Sequence, residues 1–469
     1  MKMFVRFGKL AVVVLLGLVL SASALAQFRS AIEGTVTDAS GSVVPDAKVT
    51  LTNIDTGISQ SVQSNEEGLF RFPSLAPGRY KVTATKQGFA TTTQENITLT
   101  AEEIRTVPLA LKAGSVTDIV TITAEANPIQ LSEVKIASDI SAQELSQLPL
   151  PGRNLGNLIT QVPGVTGTGL ASGNNTDNDI FGLVSGPQAN GGGQRGDGNA
   201  FYVDNTLANS NPDPGVFNIT PNPDSVQEVH VAVNDYSAEY GRSSGLVIQS
   251  ISKTGTNAFH GSLFEYHQDN RLWAHNALSQ GQAVSVFHRN EFGGSVGGPI
   301  LKNKMFFFFS WDQKKSGTPT VFQDTIEAAE FVNYLKANFP NNLSTKLLTS
   351  FPATNHGFLS GTVITVQDLA PNCATTPPLP GIACNMPLFG TTTESFAGTD
   401  NGKQWNVRID RNFTNDRFYG NVYRKVHNTQ GINTRPAFAS PDSFAGITNY
   451  GNLDWTHTFS PAIVNRDAS

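Results

Sequence analysis

The sequence predicts a mostly β protein: an antiparallel β-sandwich near the N-terminus, then a mixed α/β unit, then a region of longer antiparallel strands. Residue usage favours this fold class, because Gly, Thr, Ser, Asn and Phe are abundant and charged residues are scarce, as in chains with short strands and many turns. Alternation of apolar and polar residues, interrupted by Gly, Pro, Asn and Asp, recurs along the chain. At 469 residues the chain is long enough for several domains, which span roughly 100–200 residues each.

The first 26 residues have the features of a signal peptide. Three basic residues lie among the first nine, an apolar stretch covers residues 10–20, and Ala24-Leu25-Ala26 supplies a cleavage site of small residues. About eleven apolar residues are too few for a helix to cross a hydrocarbon core of roughly 30 Å. No later stretch approaches ~18 apolar residues, so we expect the exported chain to enter a membrane only as a β-barrel.

Charge and cysteine content narrow the possible partners. The formal net charge is −6 and no basic block occurs, so a nucleic-acid partner is not expected. Ten residues separate Cys373 from Cys384 in a stretch rich in Pro. In an oxidising compartment this arrangement predicts a disulfide that closes one loop. Two cysteines without clustered histidines predict no zinc site, and no cofactor is expected.

Residues 28–112 have the pattern of one compact antiparallel β-sandwich. Short alternating stretches are separated by turn signals every ~8–12 residues, a spacing typical of sandwiches. The alternating stretches are Ile32–Thr37, Ala47–Thr52, Gly68–Phe72 and Tyr80–Ala84.

This segment resembles the carboxypeptidase regulatory-like domain. The residues that match its pattern are Gly34, Val36, Asp38, Gly41, Pro45, Ala47, Val49, Gly68, Phe70, Pro77, Gly78, Tyr80, Val82, Gly88 and Phe89. That module is an accessory sandwich without catalytic groups. The resemblance therefore implies a structural or docking role rather than peptidase activity.

Residues 135–256 are predicted to begin with two short helices. Ser141 is placed to cap the first helix, and Glu144, three residues later, completes a capping box. The stretch LPLPGRNLGNLITQVPGV then sets Arg153 and Asn154 before an apolar helix that ends at Pro163-Gly164. Both helices are followed by residues that favour turns.

A glycine-rich run and a long junction come next. The run at residues 191–198 contains Arg195-Gly196 and leads into FYVDN, which holds Asp204. Farther on, DSVQEVHV precedes NDYSAEYGR, which holds Tyr240-Gly241, and SKTGTN follows. Together these motifs resemble the plug domain and the plug-to-barrel junction of the Oar-like TonB-dependent receptors.

Two positions in this segment need a separate interpretation. Asn205-Thr206 stands where the family has an Asp-Gly type of turn. Arg195-Gly196-Asp197 is not a phosphate loop, because the Lys-Ser/Thr ending is missing. We expect the glycines to bend the backbone and Arg195 to pair with the barrel wall or with Asp197.

Residues 113–134 connect the sandwich to the plug-like segment. They contain a run of one acidic residue followed by alternating β-formers: Asp118, Ile119, Val120, Thr121, Ile122, Thr123 and Ala124. By composition alone this run is the last strand of the sandwich or a plain linker. Its position before a plug-like segment favours a TonB box, an extended segment with unpaired backbone to which a periplasmic protein adds a strand. The resemblance thus implies the TonB–ExbB–ExbD complex as a partner.

From residue 257 onward the pattern is that of the first strands of an antiparallel transmembrane β-barrel. In the Trp405–Arg411 segment apolar residues share one face and polar residues the other, and Phe264 and Tyr266 alternate with polar neighbours. An apolar-out, polar-in alternation is typical of outer-membrane barrels, which contact lipid on the outside. A soluble sandwich strand alternates in the same way. The motifs FGGSVGGPI and KMFFFF decide for the barrel, because they resemble the early barrel of the same receptors.

Residues 317–400 are predicted to form a long extracellular loop that contains both cysteines. A barrel that encloses a plug needs about 22 strands of roughly ten residues, whereas only about 210 residues follow Asn257. We therefore expect the chain to be an N-terminal fragment of a longer receptor.

The motifs of common hydrolases and nucleotide-binding enzymes are absent from the sequence. His288 and Glu291 have the His-x-x-Glu spacing of metallocarboxypeptidases, but strand residues three apart point to opposite faces. The resemblance implies a TonB-dependent outer-membrane receptor, not an enzyme, that moves a bulky solute such as an oligosaccharide, a peptide or a siderophore-like compound. The alternative is a secreted or surface-attached β-modular adhesion protein without transport.

Overall fold

The structure is a computed structural model in which three parts follow one another along the chain. We call them the sandwich unit (residues 30–123), the central unit (residues 136–256) and the long-strand sheet (residues 260–468). The residues described are 30–115, 119–123, 136–148, 150–169, 180–181, 188–210, 215–234, 236, 240–272, 288–353, 357–413, 415–430, 443–460 and 463–468. The predicted signal peptide and two residues of the predicted TonB box, Asp118 and Ala124, lie outside them.

Two β-sheets enclose the apolar core of the sandwich unit. Its strands are β1 (Ala31–Asp38), β2 (Lys48–Asn53), β3 (Ser59–Gln63), β4 (Leu69–Phe72), β5 (Gly78–Thr85), β6 (Thr91–Leu99), β7 (Ile104–Thr106), β8 (Leu109–Leu111) and β9 (Ile119–Thr123). One sheet has the order β4-β1-β7, with β8 also on β1, and the other has the order β3-β2-β5-β6-β9. In β5 the side chains of Tyr80, Val82 and Ala84 are buried, as the two-residue period of a strand requires.

Strand β9 extends this unit past Lys112. It pairs in parallel with β6, from Thr91–Ile119 to Glu95–Thr123, because the chain leaves β6 for the other sheet, forms β7 and β8 there, and returns. The segment predicted to have an unpaired backbone is therefore paired along one edge. Composition had left this last-strand interpretation open.

The central unit combines a five-stranded sheet, a hairpin and two short helices. Its elements are β10 (Ile136–Ser141), α1 (Ala142–Gln147), α2 (Gly156–Ile159), β11 (Val165–Gly169), β12 (Gln188–Gly191), β13 (Ala200–Val203), β14 (Thr206–Leu207), β15 (Val226–Asn234) and β16 (Val247–Ser252). The sheet order is β10-β15-β16-β13-β14, and β11 pairs with β12. Val229, Val231 and Val233 pack against Leu158 and Ile159 of α2 in the core.

The predicted capping box at the start of α1 is confirmed. The Ser141 hydroxyl accepts a hydrogen bond from the Glu144 amide at 3.3 Å, and the Glu144 carboxylate accepts one from the Ser141 amide at 2.7 Å. These bonds lower the pKa of Glu144, since they favour the charged carboxylate. Helix α2 is shorter than predicted: it ends at Ile159, and the residues from there to Pro163-Gly164 form turns with hydrogen bonds between residues three apart. Pro151–Arg153 forms a separate 3-10 turn before it.

The long-strand sheet is antiparallel and much longer than the other sheets. Its strands are β17 (His260–Asp269), β18 (His288–Leu301), β19 (Met305–Glu327), β20 (Ile364–Thr365), β21 (Pro387–Asn412), β22 (Asp416–Gln430), β23 (Ser443–Ser460) and β24 (Ile463–Ala468). They follow the order β17-β18-β19-β21-β22-β23-β24, with β20 on β21. In the part of the chain that is described, β17 does not pair with β24.

The predicted loop over residues 317–400 is wrong at both ends. β19 and β21 stay paired from Met305–Arg411 out to Glu327–Phe389, because Thr and Phe in this stretch suit a strand as well as a loop. The insertion between them carries helices α3 (Ala329–Asn338), α4 (Leu343–Ser350) and α5 (Val366–Leu369). Cys373 and Cys384 form a disulfide within it, where buried Cys373 belongs to a small apolar core of its own.

The two faces of the long-strand sheet are as predicted in β21 and reversed in β17. Asn406, Arg408 and Asp410 are buried toward the central unit, whereas Val407 and Ile409 face outward and are 36% and 41% exposed. In β17 the aromatic rings turn inward, because Phe264 and Tyr266 contact the guanidinium of Arg153 in the central unit. Among the described helices, none is both long and apolar enough to span a membrane.

The first prediction tests the place of β9. A segment of residues 28–123 is expected to fold alone as a soluble monomeric β-sandwich that retains no zinc after dialysis. Ending the segment at residue 115 removes β9 and should lower the free energy of unfolding by about 1–3 kcal/mol, since each backbone hydrogen bond contributes about 0.5–1.5 kcal/mol net. Urea unfolding followed by circular dichroism measures the difference. Equal stability of the two segments would show that β9 does not join the sheet in solution.

Candidate functional site

The inner face of the long-strand sheet is polar and lies against the central unit. The side chains on this face that are buried there include Ser310, Asp312, Lys314, Gln404, Asn406, Arg408, Asp410 and Asn421, each no more than 3% exposed. Buried polar groups are stable only when they have partners. Some partners lie on the same sheet, such as Asp400 for Lys314; the others come from the central unit, at two clusters and several single hydrogen bonds.

The first cluster surrounds Arg153. Its guanidinium contacts Asp312 at 2.8 Å and Glu291 at 3.2 Å on the long-strand sheet, and it also pairs with Asp224 of the central unit. Burial by itself would lower the pKa of Arg153, but the three carboxylates outweigh this effect and raise it. The guanidinium also lies 3.9 Å from the ring centre of Phe264, a cation–π contact.

The backbone before α2 directs the Arg153 side chain toward the long-strand sheet. Within the 3-10 turn, Gly152 has φ 62° and Arg153 has φ 51°, a left-handed conformation that is uncommon outside glycine. Asn154, which is 0% exposed, fixes the next turn, because its side-chain oxygen accepts a hydrogen bond from the Gly156 amide at 2.9 Å. Pro163 and Gly164, at the far end of the helix, are exposed and make the turn.

The second cluster joins Asp204 to Arg408. Arg408 contacts Asp204 at 3.3 Å and the neighbouring Asp410 at 2.8 Å. It also donates to the Ser252 hydroxyl at 2.6 Å. Asn421 donates to the second carboxylate oxygen of Asp204 at 2.8 Å. All of these side chains are buried, so the charges are removed from water together.

A two-residue turn positions Asp204. It connects β13 to β14, and its residues Asp204 and Asn205 have φ angles of 48° and 67°. A turn of this kind needs positive φ at both positions, which Asp and Asn tolerate well. The turn therefore lies at Asp204-Asn205, one residue before the Asn205-Thr206 position expected from the family pattern. The tip is bound further by the Tyr419 hydroxyl, which donates to the Asp204 carbonyl oxygen at 3.0 Å.

The sandwich unit contacts the central unit at a third place. The Ala101 amide donates to the Glu228 carboxylate at 2.8 Å, and the Tyr240 hydroxyl donates to Glu102. Ala101 also packs with Ile251 of the central unit and Tyr419 of the long-strand sheet. All three parts of the molecule therefore meet at this point.

Two ionisable groups at this docking contact have shifted pKa values. Burial, followed by the charge of Asp139, raises the pKa of Glu228 to about 7. Burial alone would lower the pKa of His230, but its hydrogen bond to Asp139 at 2.5 Å and the nearby Glu102 raise it. Both shifts favour proton uptake in the docked form.

A cavity of about 660 Å³ lies beside the Arg153 cluster, between α1 and the first strands of the long-strand sheet. Leu145, Arg153, Asp224, Lys253 and Arg289 are among its lining residues. Burial lowers the pKa of Lys253. Arg153 and its partners Asp224 and Glu291 therefore border open space on this side.

The remaining residues that were predicted as site residues lie outside the two clusters. Arg195 is exposed and its nearest acidic partner is Asp197 at 3.5 Å, so of the two expected partners the structure places Asp197, and not the wall, beside it. Gly196 opens a 3-10 turn that ends at Gly198, and Gly241 is exposed next to the buried Tyr240. Arg195 and Gly196 therefore belong to the loop that precedes β13, and Gly241 to the loop that precedes β16.

Other members of the two clusters were not predicted as site residues. Glu291 drew attention only through its spacing from His288; it faces Arg153, whereas His288 pairs with Asp269 at 2.9 Å. Asp224 stood within a recognised motif without a role. Asp312 gave no signal, because a single acidic residue in a strand looks the same whether it faces a partner or water.

Comparison with known proteins identifies two parts of the chain. Residues 251–467 match the family described as an outer membrane beta barrel domain, and residues 31–112 match the carboxypeptidase regulatory-like domain. The chain is 28% identical over 315 residues to the TonB-dependent transporter Oar of Myxococcus xanthus, covering 63% of this chain and 28% of that protein. It thus spans less than a third of that relative's length. These similarities indicate that the protein is located in the outer membrane of a Gram-negative bacterium.

Two of the solved structures that are similar to this chain are a transporter and a receptor. The outer membrane transporter YddB from Escherichia coli has 11% identity and a TM-score of 0.44, over 69% of this chain and 37% of that one. The ferric enterobactin receptor PfeA from Pseudomonas aeruginosa, in a mutant form, has 13% identity and a TM-score of 0.37, over 69% and 38% of the two chains.

The second prediction tests the Asp204–Arg408 contact. Asp204→Asn keeps the shape and tolerates the left-handed turn, but leaves Arg408 without one of its two buried carboxylates. We expect the free energy of unfolding to fall by about 3–5 kcal/mol, the usual cost of removing one partner of a buried ion pair. Denaturation of the detergent-solubilised chain measures this change. Asp197→Asn is the matched control on an exposed pair, expected to change stability by less than about 1 kcal/mol; equal effects would refute the assigned role.

The third prediction concerns pH. Since the pKa of Glu228 rises from 4.5 to about 7 on burial, its contribution to docking is complete below pH 4.5 and is lost as the pH rises through 7. The docked form should lose up to about 3 kcal/mol between these limits. Thermal unfolding of the full chain from pH 5 to pH 8 should show a falling Tm. Glu228→Gln should flatten this profile, whereas exposed Glu66→Gln should not; an unchanged slope in Glu228→Gln would contradict the assignment.

Proposed function

We propose that this chain, a homologue of the Oar-like TonB-dependent transporters, acts in the gated passage of a bulky solute across the outer membrane. In this proposal the long-strand sheet is part of the barrel wall and the central unit is the plug. The solute is of the size of an oligosaccharide, a peptide or a siderophore-like compound. A barrel wide enough to enclose a plug is wider than smaller solutes need.

One observation carries the proposal: the central unit is fastened to the wall by buried charges at two separate places. Arg153 belongs to the central unit and its partners Glu291 and Asp312 to the wall. At the second place the signs are exchanged, since Asp204 lies on the central unit and Arg408 on the wall. An adhesion protein built from independent β modules needs no such fastening, so this arrangement favours a gate.

The strength of these contacts bears on the need for energy. Removing only one partner of a buried ion pair costs about 3–5 kcal/mol, because the other charge stays buried without its partner. A movement of the central unit that separates Arg153 or Asp204 from its partners before water reaches both charges has a cost of this size. Such a cost at two places fits a gate that is opened by an applied pull.

Coupling to the energy source is assigned to the run from Asp118 to Ala124. Its residues alternate between Ile or Val and Thr, the composition of a segment that a partner strand can join. The expected partner is the TonB–ExbB–ExbD complex, with TonB supplying the strand, and outer-membrane lipid surrounds the wall. The sandwich unit has the accessory docking role that its family resemblance implies.

The fourth prediction tests this coupling. Proline at Val120 removes a backbone N–H and cannot take part fully in a ladder. The Val120→Pro full-length chain should lose binding to a purified periplasmic TonB domain in a pull-down by at least tenfold. Ser61→Pro, on the edge strand at the other side of the same sheet, is the matched control and should bind as the wild type does. Unchanged binding by Val120→Pro would rule out the assignment of the TonB box.

A further inference from the structure

Strand β9 presents one free edge. Its residues pair with β6 along one side only, and it is the terminal strand in the order β3-β2-β5-β6-β9. Among the described residues, no strand pairs with its outer side. An edge strand of this kind offers a row of backbone N–H and C=O groups that another strand can join.

The same sheet is fastened to the central unit next to β9. Strand β6 runs directly into the turn that holds Ala101 and Glu102, whose partners are Glu228 and Tyr240 of the central unit. Because β9 is parallel to β6, both strands run toward this contact. The free edge of β9 and the contact at Ala101 and Glu102 therefore belong to the same sheet.

We propose that the energy-coupling strand adds to the outer edge of β9 while β9 stays paired with β6. The sandwich sheet itself is then the docking surface, not a peptide released from it. The inference rests on the proposed function, since it assumes that the run 118–124 couples to TonB, and it specifies how that run is presented. Asp118 and Glu125 flank the strand in sequence, so the occupant is an extended strand with basic residues beside it.

Two physical arguments favour addition over release. Release would break the β6–β9 pairing before any new pairing forms, whereas addition keeps it and gains a second ladder. A pull along the strand axis loads all the β6–β9 hydrogen bonds together instead of one after another. The pull is then delivered through Ala101 and Glu102 to the central unit, close to the Asp204–Arg408 cluster that must open.

A reversible covalent lock separates the two modes. Thr93 and Thr121 are register partners on β6 and β9, so T93C/T121C in the full chain should form a disulfide that prevents release of β9. A matched lock, T50C/S61C, joins register partners at the far edge of the same sheet. Peptide mapping verifies each bridge, and each protein is measured oxidised and after reduction, beside the wild type treated in the same way.

The measurement is the affinity for a purified periplasmic TonB domain. Addition predicts that oxidised T93C/T121C binds within about twofold of the wild type and of the T50C/S61C control. A loss of more than tenfold that is confined to oxidised T93C/T121C and restored by reduction would overturn the docking mode and leave the proposed function standing. Absence of binding by the wild-type chain would overturn the proposed function, and this inference with it.

Hydrogen exchange gives a second readout without any substitution. If β9 stays in place, the amides of residues 91–95 keep their slow exchange when TonB is bound, and those of residues 119–123 become slower. Faster exchange in residues 91–95 on TonB binding would show that β9 leaves the sheet, and would overturn the inference.

Discussion

The contact between Asp204 and Arg408 is the constraint on which the rest of the arrangement depends. A carboxylate and a guanidinium that are both removed from water are tolerated only when each has partners on all sides. The β13–β14 turn must therefore reach the wall at Arg408, and Asn421 and Ser252 must complete the set. Since these groups come from distant parts of the chain, a single cluster fixes how the central unit sits against the long strands.

The Arg153 cluster adds a second fixed point and thereby prevents rotation. Its guanidinium is surrounded by three carboxylates, more than it can neutralise alone. Both clusters border a cavity, since Arg153 lines one of about 660 Å³ and Arg408 lines one of about 350 Å³. The two fixed points lie at separate places on the inner face of the long-strand sheet.

The sandwich unit connects to this arrangement through carboxylates rather than through an extensive apolar surface. Glu228 and Glu102 accept hydrogen bonds across the contact, and the apolar part is a small cluster around Ala101. A contact of this kind is directional but can be released by a modest change in charge or force. Few apolar groups become exposed to water when the two units separate at this contact.

The sequence by itself determined what depends on near neighbours. The capping box at Ser141 and the two faces of β21 were predictable, because hydrogen bonds between residues three apart and a two-residue period are local. The family resemblance was carried by short motifs of the same kind. Only the tertiary structure decided the rest: Arg408 meets Asp204 across 204 positions of chain, β17 turns its rings inward because Arg153 lies there, and β9 returns to the sandwich after two strands in the other sheet. Such choices depend on which groups arrive opposite one another, and no local pattern of residues encodes that.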